Sequence, residues 1–449
     1  MTFLQKKILK MLSKFQGIRS LSQYFLDSKM ASQEVETSAF STWKDLKLSN
    51  IIAQVQGLDS EGNGSAVVNV ASDGFGKTVA VKRFMIDDAS DEAIKLVTHE
   101  IVMMRQLRSP YILSALGSLV SINSMEIWVV SSLMELGSLR RILDAYFPEG
   151  IPEAAISPIV SDCLKGLQHL HERGIVHRAV KASHILLDAS GRAKLSGLRY
   201  SVSLYDVGTD SCNISSSGGS PQDRYDFPMI CSQKHLNWMS PEMLQQNLLG
   251  YNEKSDIYSL GVTLAELANG FPPFSDMPKT LMLLEKLKSN PTRLLDSTTF
   301  DPSAHPQDLL FSGDKPADSG VGASVGSCSN LPTSAAAGVG TFKQGAVQAN
   351  LSKYAQRTFS DALHAFHENC LELDPDIRKP AASLLSHPFI KQHKKSSSSS
   401  LSLASLVSSC CSVKAPVNDN STLDDEEADT LTMAFNTSKM IDSGLVWDF

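Results

Sequence analysis

Apolar and polar positions alternate in three short runs between residues 50 and 82, IIAQVQG, SAVVNVA and KTVAVKRF, with glycines between them. Period-two alternation interrupted by glycine predicts short antiparallel strands with glycine-rich turns. Residues 90–107, SDEAIKLVTHEIVMMRQL, follow a helical pattern instead. Ser90 stands where a capping residue belongs, and Asp91 and Glu92 fall in the first turn. MEIWVVSSL at 125–133 predicts another strand. From residue 138 helical patterns dominate, in SLRRILDAYF, AAISPIVSDCLKGLQHLHERG, SDIYSLGVTLAELANG and FSDALHAFHENCLEL. A small β-rich part followed by a larger helical part predicts an α+β, two-lobed fold. The crevice between such lobes is the natural place for a ligand.

Composition narrows this picture. The chain has 449 residues and is 42% hydrophobic, enough for a sizeable core. It contains no run of about 18 uninterrupted apolar residues, which excludes a transmembrane helix. The seven cysteines are scattered and odd in number, which fits a reducing compartment better than a disulfide framework or a zinc site. A formal net charge of -7 gives no pull toward nucleic acid.

The ends and one interruption depart from the globular pattern. Residues 1–45 form a basic arm, with Lys6, Lys7, Lys10, Lys14 and Arg19 all preceding the first acid, Asp27. Its apolar residues recur at near-helical spacing, which fits a membrane-surface helix, a mitochondrial transit peptide or a poorly ordered arm. Residues 301–350 are rich in Ser, Gly, Ala and Pro and are expected to be a disordered insert. Residues 393–449 are expected to be a disordered tail, first Ser-rich and then acidic. Its last residues, GLVWDF, place Leu445, Val446, Trp447 and Phe449 where a polar tail has no internal use for them.

Within residues 46–392, five segments follow the order and spacing of a protein kinase catalytic domain. Val79-Ala80-Val81-Lys82 resembles the strand whose Lys holds nucleotide phosphates, and Glu100 stands where a helix supplies its carboxylate partner. His177-Arg178-Ala179-Val180-Lys181-Ala182-Ser183-His184 resembles the catalytic loop. Trp238-Met239-Ser240-Pro241-Glu242 and Ser255-Asp256-Ile257-Tyr258-Ser259-Leu260-Gly261 resemble the end of the activation segment and the helix after it. Arg378 stands where the family places the partner of that Glu, here Glu242. The resemblance implies a bilobal protein-kinase-like fold.

The same alignment exposes what is missing. The catalytic base, an Asp in the family, is Ala179, which has no acceptor for a hydroxyl proton. The Asn that helps hold magnesium is His184, and imidazole is a poor ligand for a hard cation. The magnesium-binding Asp of Asp-Phe-Gly is Gly197, in Ser196-Gly197-Leu198-Arg199, and no acid lies between Ala193 and Tyr205. The glycine loop is off pattern too. With Val68 as its Val, its glycine positions fall on Glu61, Asn63 and Ala66. General-base help alone contributes ~10²–10⁴ in rate, so turnover near background is expected. Lys82, Lys181 and Arg199 remain as cations for phosphate, with Arg199 expected beside the magnesium position.

With HRAVKASHILLD, KLSGLR, YDFP and the terminal WDF, the chain resembles the STRAD family, the sterile-twenty-related adaptor pseudokinases. The resemblance implies a catalytically inactive adaptor that binds ATP structurally, without magnesium, through Lys82, Glu100, Lys181 and Arg199. It implies allosteric activation of the tumour-suppressor liver serine/threonine kinase, with residence in cytoplasm and nucleus. It also implies an armadillo-like helical-repeat scaffold as third partner. The family docks a terminal Trp-Glu-Phe in that scaffold, and Trp447, Asp448 and Phe449 stand in its place, one methylene shorter at the acid. Mammalian members of the family carry Arg where this chain has Lys82, a more enzyme-like choice that restores neither Ala179 nor Gly197. The alternative is a weakly active atypical serine/threonine kinase, with His184 and Glu100 improvising as ligands.

Overall fold

The computed structural model describes residues 46–56, 64–72, 75–86, 89–121, 125–205, 235–246, 250–275, 277–287, 292–299, 354–395 and 403–413. The arm 1–45, the insert 301–350, Glu61, Asn63 and the terminal Trp447, Asp448 and Phe449 lie outside them.

The first lobe is a five-stranded sheet in the order β1-β2-β3-β5-β4, antiparallel throughout. Its strands are β1 (Lys47–Gln56), β2 (Ser65–Ser72), β3 (Thr78–Met85), β4 (Ala115–Ser121) and β5 (Glu126–Ser132). Register aligns Lys82 on β3 with Val68 on β2 and Val129 on β5. Successive side chains point to opposite faces, so Val79 and Val81 pack with Ala71 and Val130 on one side. Ala80, Lys82 and Phe84 face the other side, toward the cleft. Strand β4 carries Gly117 and two serines, ALGSLVS, too weak an alternation to stand out in the sequence.

Helix α1 (Asp91–Gln106) crosses this face of the sheet. Ser90 caps it, its hydroxyl accepting the Ala93 N–H at 3.0 Å. Ala93, Val97, Glu100 and Met104 recur at steps of three and four and lie on the buried stripe. That places the Glu100 carboxylate on the inner side of the helix.

The second lobe contains α2 (Leu139–Tyr146), α3 (Glu153–His171), α4 (Pro241–Leu244), α5 (Lys254–Asn269), α6 (Lys279–Leu287), α7 (Asp361–Cys370), α8 (Ala381–Leu384) and α9 (Pro388–Lys395). Helix α5 is buried around its whole circumference and forms the axis of the lobe. Two short strands, β6 (Ile185–Leu187) and β7 (Ala193–Leu195), pair antiparallel beneath the first lobe. No helix among the described residues is long and apolar enough to cross a membrane.

The flanks of the insert meet. The Ser297 N–H donates to the Arg357 carbonyl at 2.8 Å, and the Phe359 N–H donates to Asp296 Oδ2 at 3.0 Å. The chain therefore leaves and re-enters the lobe at one point. Each halving of a loop returns about 0.6 kcal/mol of closure entropy. Replacing residues 300–353 with a short Gly-Ser bridge is expected to leave the thermal midpoint unchanged or slightly raised. A fall of more than about 5 °C would overturn this, since it corresponds to losing a kcal/mol or more of packing.

One expectation is corrected. The tail beginning at residue 393 is not disordered throughout: α9 runs to Lys395, and α10 (Leu403–Val413) packs against α2. Leu403 and Val407 are buried in the main core, with Leu406 half-buried beside them. The i, i+3, i+4 spacing of these three puts them on one face, and burying an aliphatic side chain gains ~1.5–3 kcal/mol. Interspersed serines masked that stripe in the sequence.

Candidate functional site

The cleft between the lobes encloses about 780 Å³, its open mouth included. Its walls are mostly apolar, among them Ala53, Val68, Ala80, Val129, Met134 and Leu186, which suits a flat aromatic group. Polar groups gather at the inner end, where Lys82, Glu100 and Ser196 meet Gly197. Lys82 Nζ donates to Glu100 Oε1 at 2.9 Å. Arg199 Nε and Nη2 both reach Glu100 Oε2 at 3.3 Å. One carboxylate thus faces two cations, and the buried triad carries a net charge of about +1.

This triad shifts its members. Burial pushes the Lys82 ammonium down to about 8, with Arg199 adding to the effect and Glu100 opposing it. Burial alone would raise the Glu100 carboxyl, but Lys82 and Arg199 together hold it below its ordinary value.

The segment following β-strand-like Ile175–Val176 is held rigidly from below. Asp256 of α5, fully buried, accepts the N–H groups of His177 at 2.7 Å and Arg178 at 2.8 Å and contacts His171 Nε2 at 3.0 Å. Arg178 is thereby kept at φ 62°, a left-handed conformation that a non-glycine residue adopts at a cost. Both backbone groups of Ala179 are taken by imidazoles. Its N–H donates to His177 Nδ1 at 3.2 Å, and its carbonyl accepts from His184 Nδ1 at 2.6 Å. A carbonyl only accepts, so Nδ1 of His184 carries the proton. The methyl of Ala179 packs against Tyr200 and Met239 in an apolar cluster.

The positions that hold magnesium in an active kinase do not suit a divalent cation here. Gly197 offers no side chain. His184 spends Nδ1 on Ala179, and burial keeps the ring neutral, its pKa well below the ordinary value. Among the described residues no group of three or more His, Cys, Asp or Glu side chains is placed to hold a metal ion.

Beyond the cleft, Glu242 of α4 receives two hydrogen bonds from Arg378, at 2.7 and 3.2 Å, with both side chains buried. Lys286 of α6 reinforces the same region. Its ammonium donates to the carbonyls of Asn237 at 2.6 Å and Met239 at 2.7 Å, just before α4.

The sequence-derived site residues therefore separate into groups. Lys82 and Glu100 line the cleft together. Arg199, expected beside the magnesium position, reaches Glu100 Oε2 with Nε and Nη2. Lys181 is buried with its ammonium 5.6 Å from the Trp238 ring. Sequence reasoning quoted Asp256 without its role and missed Lys286. An acid in the first turn of the otherwise apolar α5 was the signal for Asp256. Lys286 stands four residues after Met282, on the buried stripe of α6.

Fold and cleft together define a protein kinase domain with no carboxylate at positions 179, 184 and 197. The family described as protein kinase domain matches residues 60–390. STE20-related kinase adapter protein alpha of Gallus gallus is 38% identical over 73% of this chain and 76% of its own length. The human alpha protein is 38% identical over 73% of this chain and 69% of its own length. The human beta protein is 37% identical over 73% and 71% respectively. The chain belongs to the STE20-related kinase adapter family.

Proposed function

We propose that this chain is a catalytically inert adaptor that holds ATP in its cleft without a divalent cation and activates a partner serine/threonine kinase allosterically. One observation carries this reading. The Lys82–Glu100 pair is formed at 2.9 Å in the cleft, while no carboxylate stands at 179, 184 or 197. A ligand that binds only this folded form stabilises it by mass action. The nucleotide acts as a conformational staple, and the second lobe presents the activating surface. The family resemblance favours the tumour-suppressor liver kinase as partner, and an armadillo-like scaffold that takes up Trp447, Asp448 and Phe449. It also favours residence in cytoplasm and nucleus.

The net +1 of the triad supplies the attraction for phosphate that a cation supplies elsewhere. Arg199 contributes by sharing the Glu100 carboxylate with Lys82. A thermal-shift titration of ATP with EDTA against ATP with Mg²⁺ tests this. Equal stabilisation is expected, and a shift that vanishes on chelation would contradict it. Reconstitution of the partner kinase with this chain and the scaffold tests the adaptor part, the expected result being partner activity that depends on this chain.

The pH dependence follows from Lys82. Its protonated form attracts the anion, and the bound anion raises its pKa above the free value of about 8. Affinity is therefore full below pH 8 and is lost as pH rises through that value, by up to about tenfold per unit. Calorimetric titration at pH 7 and pH 9 is expected to show a drop of roughly tenfold. A flat profile would contradict it.

A further inference from the structure

We infer that His184 and Gly197 form one packing unit: the imidazole of His184 occupies the space that any side chain at 197 needs, so the cation-ligand position is held shut while the ring stands. A Cβ built on Gly197 would lie 2.6 Å from Nδ1, 2.7 Å from Cγ and 2.9 Å from Cδ2 of His184. All three are closer than non-bonded carbon contacts allow. These atoms are the root of the ring, which cannot swing aside as the tip of a long side chain can.

The ring is fixed on several sides. Nδ1 is tied to the Ala179 carbonyl at 2.6 Å, and the side chain is buried. The rings of His177 and His235 flank it, with centroids at 6.5 and 5.5 Å. Its backbone is held as well, because the His184 carbonyl accepts both the N–H and the hydroxyl of Ser196 at 2.8 and 3.0 Å. That bond also fixes the residue immediately before Gly197. The two positions face each other across β6 and β7, and neither can retreat.

Gly197 has a second reason to be glycine, its φ of +79°. The strain of a Cβ at that φ is local and persists whatever stands at 184. The contact with the ring depends on 184. The two causes are therefore separable, and only the second couples the positions.

The loss of the cation ligand in this cleft is thus a joint property of two residues. An aspartate placed at 197 alone meets the ring before it can present an oxygen to a cation. The interlock rests on packing alone; its bearing on cation binding rests on the metal-free nucleotide reading.

The test is a double-mutant cycle in thermal unfolding of the full chain without nucleotide, using Gly197→Ala, His184→Ala and the pair. Gly197→Ala is expected to lower the midpoint by roughly 5 °C or more in the native background. In the His184→Ala background the same change is expected to cost no more than half as much, the remainder being φ strain. Equal costs in the two backgrounds would overturn the interlock. His184→Ser, which is smaller than a ring and keeps a donor for the Ala179 carbonyl, serves as the second background if His184→Ala fails to fold.

A second readout addresses the cation. With ATP as probe, the stabilisation of the native chain is expected to be the same in EDTA and Mg²⁺, and that of His184→Ala with Gly197→Asp is expected to be larger in Mg²⁺. A pair that remains indifferent to Mg²⁺ would overturn the cation-excluding role while leaving the packing result to stand by itself. ATP that stabilises no variant, the native chain included, would refute the nucleotide reading and leave the interlock decided by the unfolding cycle.

Discussion

Arg378→Ala is expected to cost about 3–5 kcal/mol of stability, because it removes the hydrogen-bonded counter-charge of the buried Glu242 carboxylate. Arg378 is fully buried, and its guanidinium meets more than one acceptor. It donates to Glu242 twice, to the Lys254 carbonyl at 2.9 Å and to the Glu372 carbonyl at 2.7 Å, and lies 5.1 Å from the Tyr258 ring. It therefore joins α4, the start of α5 and the segment before α8. Removing it orphans acceptors in three places at once. The paired change Glu242→Ala with Arg378→Ala is expected to cost less than the sum of the two single changes, since it removes the carboxylate as well. Urea unfolding followed by tryptophan fluorescence measures both. A single-variant loss below about 1 kcal/mol would show that water reaches the pair.

Lys82→Met is expected to lower nucleotide affinity by about 100-fold or more while the chain stays folded. Charge counting gives the reason. The triad of Lys82, Glu100 and Arg199 carries about +1 in the native chain. Without Lys82 the remaining Glu100–Arg199 pair is neutral, so the fold retains a compensated carboxylate and the anion loses its attraction. Arg199→Met is expected to act in the same direction, because Lys82–Glu100 is then the neutral pair. Glu100→Gln has the opposite electrostatic sign: two buried cations remain, and the fold is expected to weaken in the absence of an anion. Calorimetric titration of ATP into the three variants decides this. Affinity retained by both cation variants would contradict the account. So would a Glu100→Gln chain as stable as the native one.

The framework was legible because periodicity and motif order survive in the sequence. Strand β3 declares itself by alternation, and Ser90 with its following acids marks the start of α1. The missing chemistry was legible for the same reason, since Ala179 and Gly197 sit at fixed intervals from His177. Three things were not. Whether Arg199 faces the cleft or Glu100 depends on a side-chain direction after a left-handed glycine, and spacing does not encode it. The contact between His184 and Gly197 joins residues thirteen positions apart through the pairing of β6 and β7. Helix α10 was hidden by composition: Ser-rich surroundings suggested a solvated tail, while three aliphatic residues at helical spacing were enough to dock it.

The most direct test of the central claim is phosphoryl transfer from radiolabelled ATP by the purified chain, alone and with the partner kinase rendered inactive, in Mg²⁺ and in Mn²⁺. With no acceptor at Ala179 and no acid at Gly197, label incorporation is expected to equal that of the Lys82→Met variant under every condition. Incorporation that is abolished by Lys82→Met would contradict the account and make this chain an enzyme.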